Sequence, residues 1–194
     1  IVFAASGSSY HVACIAAQLF ETFAQIPCRV YLSSEMRYQA ISWPSNTALI
    51  ALSQSGETAD TLEAVRHWKK YAFYALSITN VANSSLDRLT QYQINSIAGN
   101  EVGVGATKTV TSMLLQMMRI VQQWSPDSEN PFSDFLASID RLKITLTLRS
   151  EIRKHALMFV QKSHTFILGR GIFYPVAQEF ALKIKELAYL HAEA

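Results

Sequence analysis

Little of this sequence is charged, and what is charged is balanced. Lys, Arg, Asp and Glu make up 16% of 194 residues, and the formal net charge is +2. No run of like charges forms a tail. Such a balance leaves no electrostatic footprint for nucleic acid or an anionic bilayer, so neither is expected as a partner. No apolar stretch reaches the roughly 18 residues that a membrane span needs. The chain opens on IVFAASGSSY, with no methionine and no basic segment, so no secretory leader is read. It opens in a strand-like run and closes on HAEA in a helix-like one, which reads as a piece of a longer protein.

Cysteine is scarce too. Cys14 and Cys28 stand in separate apolar or strand-like settings and read as buried thiols of a reducing, cytoplasmic protein rather than a disulfide. No CxxC, HExxH or Asp/Asn-rich loop occurs, so no metal site is expected. The chain has no GxxxxGK[ST] and no GxGxxG, which sets aside Walker-type and dinucleotide-binding loops. His11, His67, His155 and His164 have no triad partner nearby in sequence, and His191 and Glu193 read as polar residues of a terminal helix.

What the chain does have is apolar runs of two kinds. IVFAA (1–5), CRVYL (28–32), TALIAL (47–52), FYALSIT (73–79) and YQINSI (92–97) are short and β-rich. Between them lie longer segments with helical periodicity. Val12, Ile15, Ala16, Leu19 and Phe23 share one face, as do Leu62, Val65 and Trp68. VTSMLLQMMRIVQQW (110–124) is a strongly apolar helix whose Met113, Met117 and Met118 suit a core or a dimer face. Strands apolar on both faces and separated by helices predict an α/β fold, a three-layer αβα sandwich around a five-stranded parallel sheet.

SPDSENP (125–131) breaks the pattern with turn formers, and 132–162 reads as helical, with a possible interruption near Ser150. A new strand, TFILG, starts at Thr165. At a constant offset, Gly7 falls on Gly171, Tyr10 on Tyr174, Ala13 on Ala177 and Ala17 on Ala181. Both copies are strand, glycine turn, helix, which reads as the start of a second, similar unit. The expected division is a first domain over 1–130, a helical connector over 131–162 and a second domain beginning at 163. An incomplete second unit should leave apolar surface bare around Phe173, Phe180 and Leu187.

Ligands of parallel α/β sheets bind beyond the carboxyl ends of the strands. Three loops there are rich in Gly, Ser and Thr, and each leads into a helix: SGSSY (6–10), SQSGETADT (53–61) and AGNEVGVGATKT (98–109). Helix N-termini offer unpaired N–H groups and a positive dipole end, and hydroxyls add uncharged donors. A phosphate held by Ser53, Gln54, Ser55 and Thr58 is the natural occupant, with Gly56 allowing close approach. The competing reading is ordinary helix capping. Near the end of the chain, Glu179, Lys183 and Glu186 share a helix face, while Leu182 and Lys185 point elsewhere. Spacing alone makes them a surface ion pair more readily than a general base with its electrostatic partner.

ASGSSY, SSEMRY, SQSGETADT, NVANSSL, GNEVGVGATKT and LKIKELAYLHAEA, in this order, resemble the isomerase halves of glucosamine-6-phosphate synthases, which are built from two sugar-isomerase (SIS) domains. The resemblance implies that Ser53, Gln54, Ser55 and Thr58, with Ser9, hold the 6-phosphate of fructose 6-phosphate. It implies that Ser6, Gly7, Ser8 and the backbone near Val104 line the sugar. Glu186 matches the carboxylate that carries a proton between the first two sugar carbons, and Lys183 the lysine that engages the keto carbon as a Schiff base. It implies glucosamine 6-phosphate as product, no metal or organic cofactor, a homodimer, and a glutaminase domain lying outside this chain. Ser6 stands where cysteine is frequent in such sequences, and Gly105–Ala106 where Ala–Ser is usual. The GELKHGP segment with its ring-opening histidine is not in the sequence, so the chain is expected to bind sugar phosphate without turning it over. The alternatives are a non-catalytic phosphosugar sensor, which has no use for Lys183 and Glu186, and an amino-sugar deaminase or deglycase.

Overall fold

The computed structural model describes residues 1–40, 42–125 and 135–194. Five strands form one sheet: β1 (Val2–Ala5), β2 (Arg29–Leu32), β3 (Ala48–Ser53), β4 (Tyr74–Thr79) and β5 (Tyr92–Asn95). Their order is β2-β1-β3-β4-β5, and every pair is parallel. Parallel strands need crossovers, and α1 (Gly7–Phe23), α2 (Ser33–Met36), α3 (Ala59–Trp68) and α4 (Ser85–Leu89) supply them, while α5 (Lys108–Trp124) follows the last strand.

Apolar residues on both faces of the strands give two cores. Phe3, Ala5, Ile50, Leu52 and Ile78 pack with Val12, Ile15, Ala16, Leu19 and Phe20 of α1 and Met113, Met117 and Val121 of α5. Val2, Ala4, Leu49 and Ala51 face the other way, against Met36, Leu62, Val65, Trp68 and Leu86. This is the expected three-layer αβα sandwich. Met113 and Met117 are core residues, and Met118 is packed against that core. The thiols are half-buried and unpaired rather than fully buried, and burial pushes that of Cys28 up to about 11.

Beyond α5 the helical reading of 132–162 resolves into α6 (Phe135–Thr147) and α7 (Arg149–Ala156), which part at Leu148, followed by a 3-10 turn at Leu157–Phe159. The turn expected over 125–131, Ser125 apart, and residues 132–134 lie outside the described residues. Then β6 (His164–Phe166), α8 (Phe173–Ala188) and β7 (His191–Glu193) form a second strand–helix–strand unit, with β6 and β7 parallel. This corrects the helical reading of HAEA. The helix stops where Tyr189 turns left-handed, at φ 54°, and His191–Glu193 pairs instead with His164–Phe166. Helix α8 packs along α1, which brings the second unit to the carboxyl edge of the large sheet. Phe173, Phe180 and Leu187 are exposed by 68%, 57% and 55%, the bare apolar surface expected there.

Candidate functional site

The chain runs from β1 through α1 to β2 on one side and returns to β3 on the other, so the direction in which strands are added reverses between β1 and β3. That switch point leaves a crevice at the strands' carboxyl ends. A cleft of about 170 Å³ lies there, lined by Ser6, Ser8 and Ser9, by Gln54, Ser55 and Thr58, by Val104 and Ala106, and by Lys183 and Glu186. A larger hollow of about 440 Å³, around Trp43 and Pro44 near the opposite ends of β1, β2 and β3, contains none of the expected site residues.

Ser53 does not line the cleft. It is 2% exposed, and its hydroxyl holds the loop from beneath, accepting from Gly56 N–H at 3.0 Å and meeting Thr58 Oγ1 at 2.9 Å. A hydroxyl that accepts from the main chain keeps its proton. Ser53 can therefore donate to Thr58, and Thr58 then has its own proton free for the cleft. Ser55 repeats the pattern, accepting from Glu57 N–H at 3.1 Å. Gly56 is left-handed, at φ 68°, and a Cβ there would sit 2.1 Å from Ser84 Oγ. This bend suits only a glycine, and it leaves the Gly56 and Glu57 N–H groups on the hydroxyls of Ser53 and Ser55.

The capping alternative is weakened by what the hydroxyls do. Ser6, Thr58 and Thr107 are the N-cap residues of α1, α3 and α5, and none makes a side-chain cap hydrogen bond. Ser6 Oγ is buried and has no partner. Ser84, at the short helix α4, does cap, accepting from Asp87 N–H. The hydroxyls of Thr58 and Thr107 go to Ser53 and Glu101 instead of a cap, and that of Ser6, left without a partner at the cleft, suits a loop that serves an anion. Gly7, left-handed at φ 56°, carries the chain from Ser6 into α1 without entering the lining.

The third loop is strapped down by Glu101. Its carboxylate accepts from the main-chain N–H groups of Thr107 and Thr109, at 3.2 and 2.9 Å, and from both hydroxyls. The Thr109 hydroxyl above all, then the two N–H groups, holds the carboxyl below its ordinary range against the opposing pull of desolvation. This capping carboxylate frees the loop tip, where Val104 is 88% exposed, to stand at the cleft.

Helix α8 brings the charged groups. Lys183 Nζ donates to Glu186 Oε2 at 2.6 Å and lies 3.4 Å from Glu179 Oε1. Their side chains are 16%, 34% and 16% exposed, so this is no ordinary surface pair. Sequence spacing found this face but missed what lies behind it. His11 Nδ1 of α1 is 2.7 Å from Glu179 Oε2. No local pattern announces that contact, because it depends on how two helices 168 residues apart in sequence pack. Of the expected residues, the cleft thus gathers Ser6, Ser8, Ser9, Gln54, Ser55, Thr58, Val104, Lys183 and Glu186, with Ser53 and Gly7 shaping it from behind. Among the described residues, no group of three His, Cys, Asp or Glu is arranged to hold a metal, and no helix is long and apolar enough to cross a membrane.

Comparison with known proteins agrees with this geometry. Residues 1–121 match the SIS domain family. The chain is 39% identical to a glutamine–fructose-6-phosphate aminotransferase (isomerizing) of Acinetobacter baylyi, over 97% of the chain and 33% of the relative. It is 40% identical to one of Vibrio parahaemolyticus, over 98% of the chain and 33% of the relative. It thus spans about a third of the length of the curated relatives it matches. Among solved structures, the C-terminal domain of glucosamine-fructose-6-phosphate aminotransferase from Francisella tularensis superposes with a TM-score of 0.91 at 37% identity, covering 100% of this chain and 57% of that one. Glucosamine-6-phosphate deaminase from Thermotoga maritima shares the fold, with a TM-score of 0.78 at 22% identity over 100% of this chain and 59% of that one.

Proposed function

The chain belongs to the SIS domain family, and from that premise we propose that it is the fructose 6-phosphate-binding isomerase part of an enzyme that makes glucosamine 6-phosphate from fructose 6-phosphate and glutamine-derived ammonia. The observation that carries this reading is the meeting, in one cleft, of a neutral donor loop with a lysine–carboxylate pair. A phosphosugar sensor would need only the first. On this reading residues 1–130 form a first SIS domain, 131–162 a helical connector, and 163–194 belong to a second. The working protein is a cytoplasmic homodimer in which a glutaminase domain supplies the ammonia.

The chemistry follows from the groups. The phosphate sits on Gln54, Ser55 and Thr58 and the N-terminus of α3, with Ser9 from α1, while Ser53 sets their direction. Ser6, Ser8 and the main chain at Gly7 and Val104 border the sugar. Binding at the phosphate orients carbons that lie some bonds away. Glu186 takes a proton from C1 and returns it to C2, as a positioned carboxylate can when C2 carries a carbonyl or an imine. Lys183, held against Glu186, is an ammonium that can donate to the oxygen at C2. To form a Schiff base it must leave Glu186 and shed a proton, then lose water from the carbinolamine. Among the described residues no histidine lines the cleft.

The test is calorimetric titration of the chain with fructose 6-phosphate and with fructose. Binding is expected for the first alone, and a Ser53→Ala/Ser55→Ala variant should weaken it about tenfold or more, the worth of one to two hydrogen bonds to a charged group. Equal affinity for fructose, or an unaffected double variant, would sink the assignment. With ammonia added, the isolated chain is expected to give no glucosamine 6-phosphate.

A further inference from the structure

His11 and Glu179 stand just behind the cleft and take no part in the mechanism above. We infer that they are positioning residues for the reacting end of the site, fixing the Lys183 ammonium beside Glu186; this rests on the reading of the cleft just given. A carboxylate only accepts, so the proton between them sits on His11 Nδ1, and the imidazole donates to Glu179 Oε2 over 2.7 Å. Both side chains are largely withdrawn from water, at 13% and 16% exposure. With Oε2 held, Glu179 turns its other oxygen toward Lys183. That oxygen is buried, has no hydrogen-bond partner, and lies 3.4 Å from Nζ. Lys183 thereby has an anion on each side along one helix face, and its short contact goes to Glu186.

The contrast with Lys143 shows what the imidazole adds. Lys143 also pairs with a carboxylate three residues away, Asp140, but both are 72% exposed and water can replace either partner. At Lys183 the arrangement is built from two units of the fold. His11 lies on α1, whose first turn presents Ser8 and Ser9 to the cleft, and Lys183 lies on α8. Seating α1 against α8 therefore sets the donor loop and the ammonium relative to each other. Without His11, Glu179 would keep a buried charge that has lost its donor. Its other oxygen is then no longer held toward Lys183, so Lys183 loses one of its two fixed anions and is freer to leave Glu186.

Competitive acetylation with limiting acetic anhydride at pH 8 reads this directly. The free amine attacks the anhydride and acetate leaves, so the yield at each lysine, found by mass spectrometry, follows its availability. Lys143 serves as internal standard. In His11→Leu, labelling of Lys183 relative to Lys143 should rise at least threefold, and Glu179→Gln should do the same while keeping the side chain's size. His11→Asn places an amide N–H near the Nδ1 position and should return Lys183 toward its native rate. An unchanged or slower Lys183 in both His11→Leu and Glu179→Gln overturns the inference, and so does a His11→Asn variant that behaves like His11→Leu. Protection of Lys183 by added fructose 6-phosphate in the native chain is a separate arm. Its loss would count against the functional reading and leave the His11 effect standing.

Discussion

The strand–glycine–helix unit at the start of the chain and the one near its end share a backbone and differ in use. Gly7 and Gly171 are both left-handed, at φ 56° and 58°. Ala13 and Ala17 are buried on α1, as their counterparts Ala177 and Ala181 are on α8. Yet β1 is buried along its whole length, whereas His164 and Phe166 of β6 are exposed. The loop into α1 is a row of serines in the cleft; the loop into α8, GRGIFY, has no serine or threonine. The first unit serves the site with the N-terminus of its helix, where amides and hydroxyls suit an anion. The second serves it with the body of its helix, where side chains four and three residues apart can hold charges against one another. One supersecondary unit can thus present either a row of hydroxyls or a set of charged side chains, according to which part of its helix faces the crevice.

The largest effect comes from removing the bend in the donor loop between β3 and α3, across the cleft from both units. Gly56→Ala forces a left-handed alanine, about 1–2 kcal/mol, and puts Cβ 2.3 Å from Ser84 Cβ. Ser84 must shift, and its cap on α4, accepting from Asp87 N–H, goes with it for about 1 kcal/mol more. The melting temperature should fall by roughly 5–10 °C, and binding of fructose 6-phosphate should be lost even where the protein stays folded. A variant that melts normally and binds normally would show that the loop tolerates a different bend.

Alanine at the two matched glycines sharpens the comparison. Neither position has an atom within 4 Å of a new Cβ, so only the backbone strain applies, about 1–2 kcal/mol at each. Gly7→Ala and Gly171→Ala are expected to lower the melting temperature by a similar few degrees. Only Gly7→Ala should also weaken fructose 6-phosphate, because it lies between Ser6 and Ser8 of the cleft. Equal effects on binding would mean that the second loop serves the ligand after all.

How much of this was legible in the sequence depends on how local each cause is. Fully apolar runs such as ALIAL identify central parallel strands, because burial on both faces leaves its mark residue by residue. The glycine turns are legible for the same reason, each being a property of one residue's backbone. HAEA was misread because its strand is made by a partner more than twenty residues earlier, and because Tyr189, not a glycine, takes the left-handed turn that ends α8. Ser53 was grouped with the cleft donors, although only the folded loop shows its hydroxyl bound to Gly56 and Thr58 from below. The His11–Glu179 contact spans two units, and composition carries no trace of it.

The smallest effect concerns the third loop, which lies between β5 and α5 and whose strap is electrostatic. Glu101 accepts from Thr107 and Thr109, and these donors favour its charged form in the folded chain. Its folded pKa therefore lies below the unfolded value of about 4.3. The stabilisation is fully present above that value and disappears as pH falls through the lower, folded one. Glu101→Gln keeps an acceptor oxygen but never carries the charge. Native chain and variant should differ by a degree or two in melting temperature at pH 6, the native being the more stable, and the gap should narrow as the pH falls below the unfolded value. A gap that does not narrow at all as the pH is lowered would assign the strap to shape rather than charge. Weaker fructose 6-phosphate binding in the variant at pH 6, with inorganic phosphate binding unchanged, would show that the strap serves the sugar end of the proposed site and not the phosphate end.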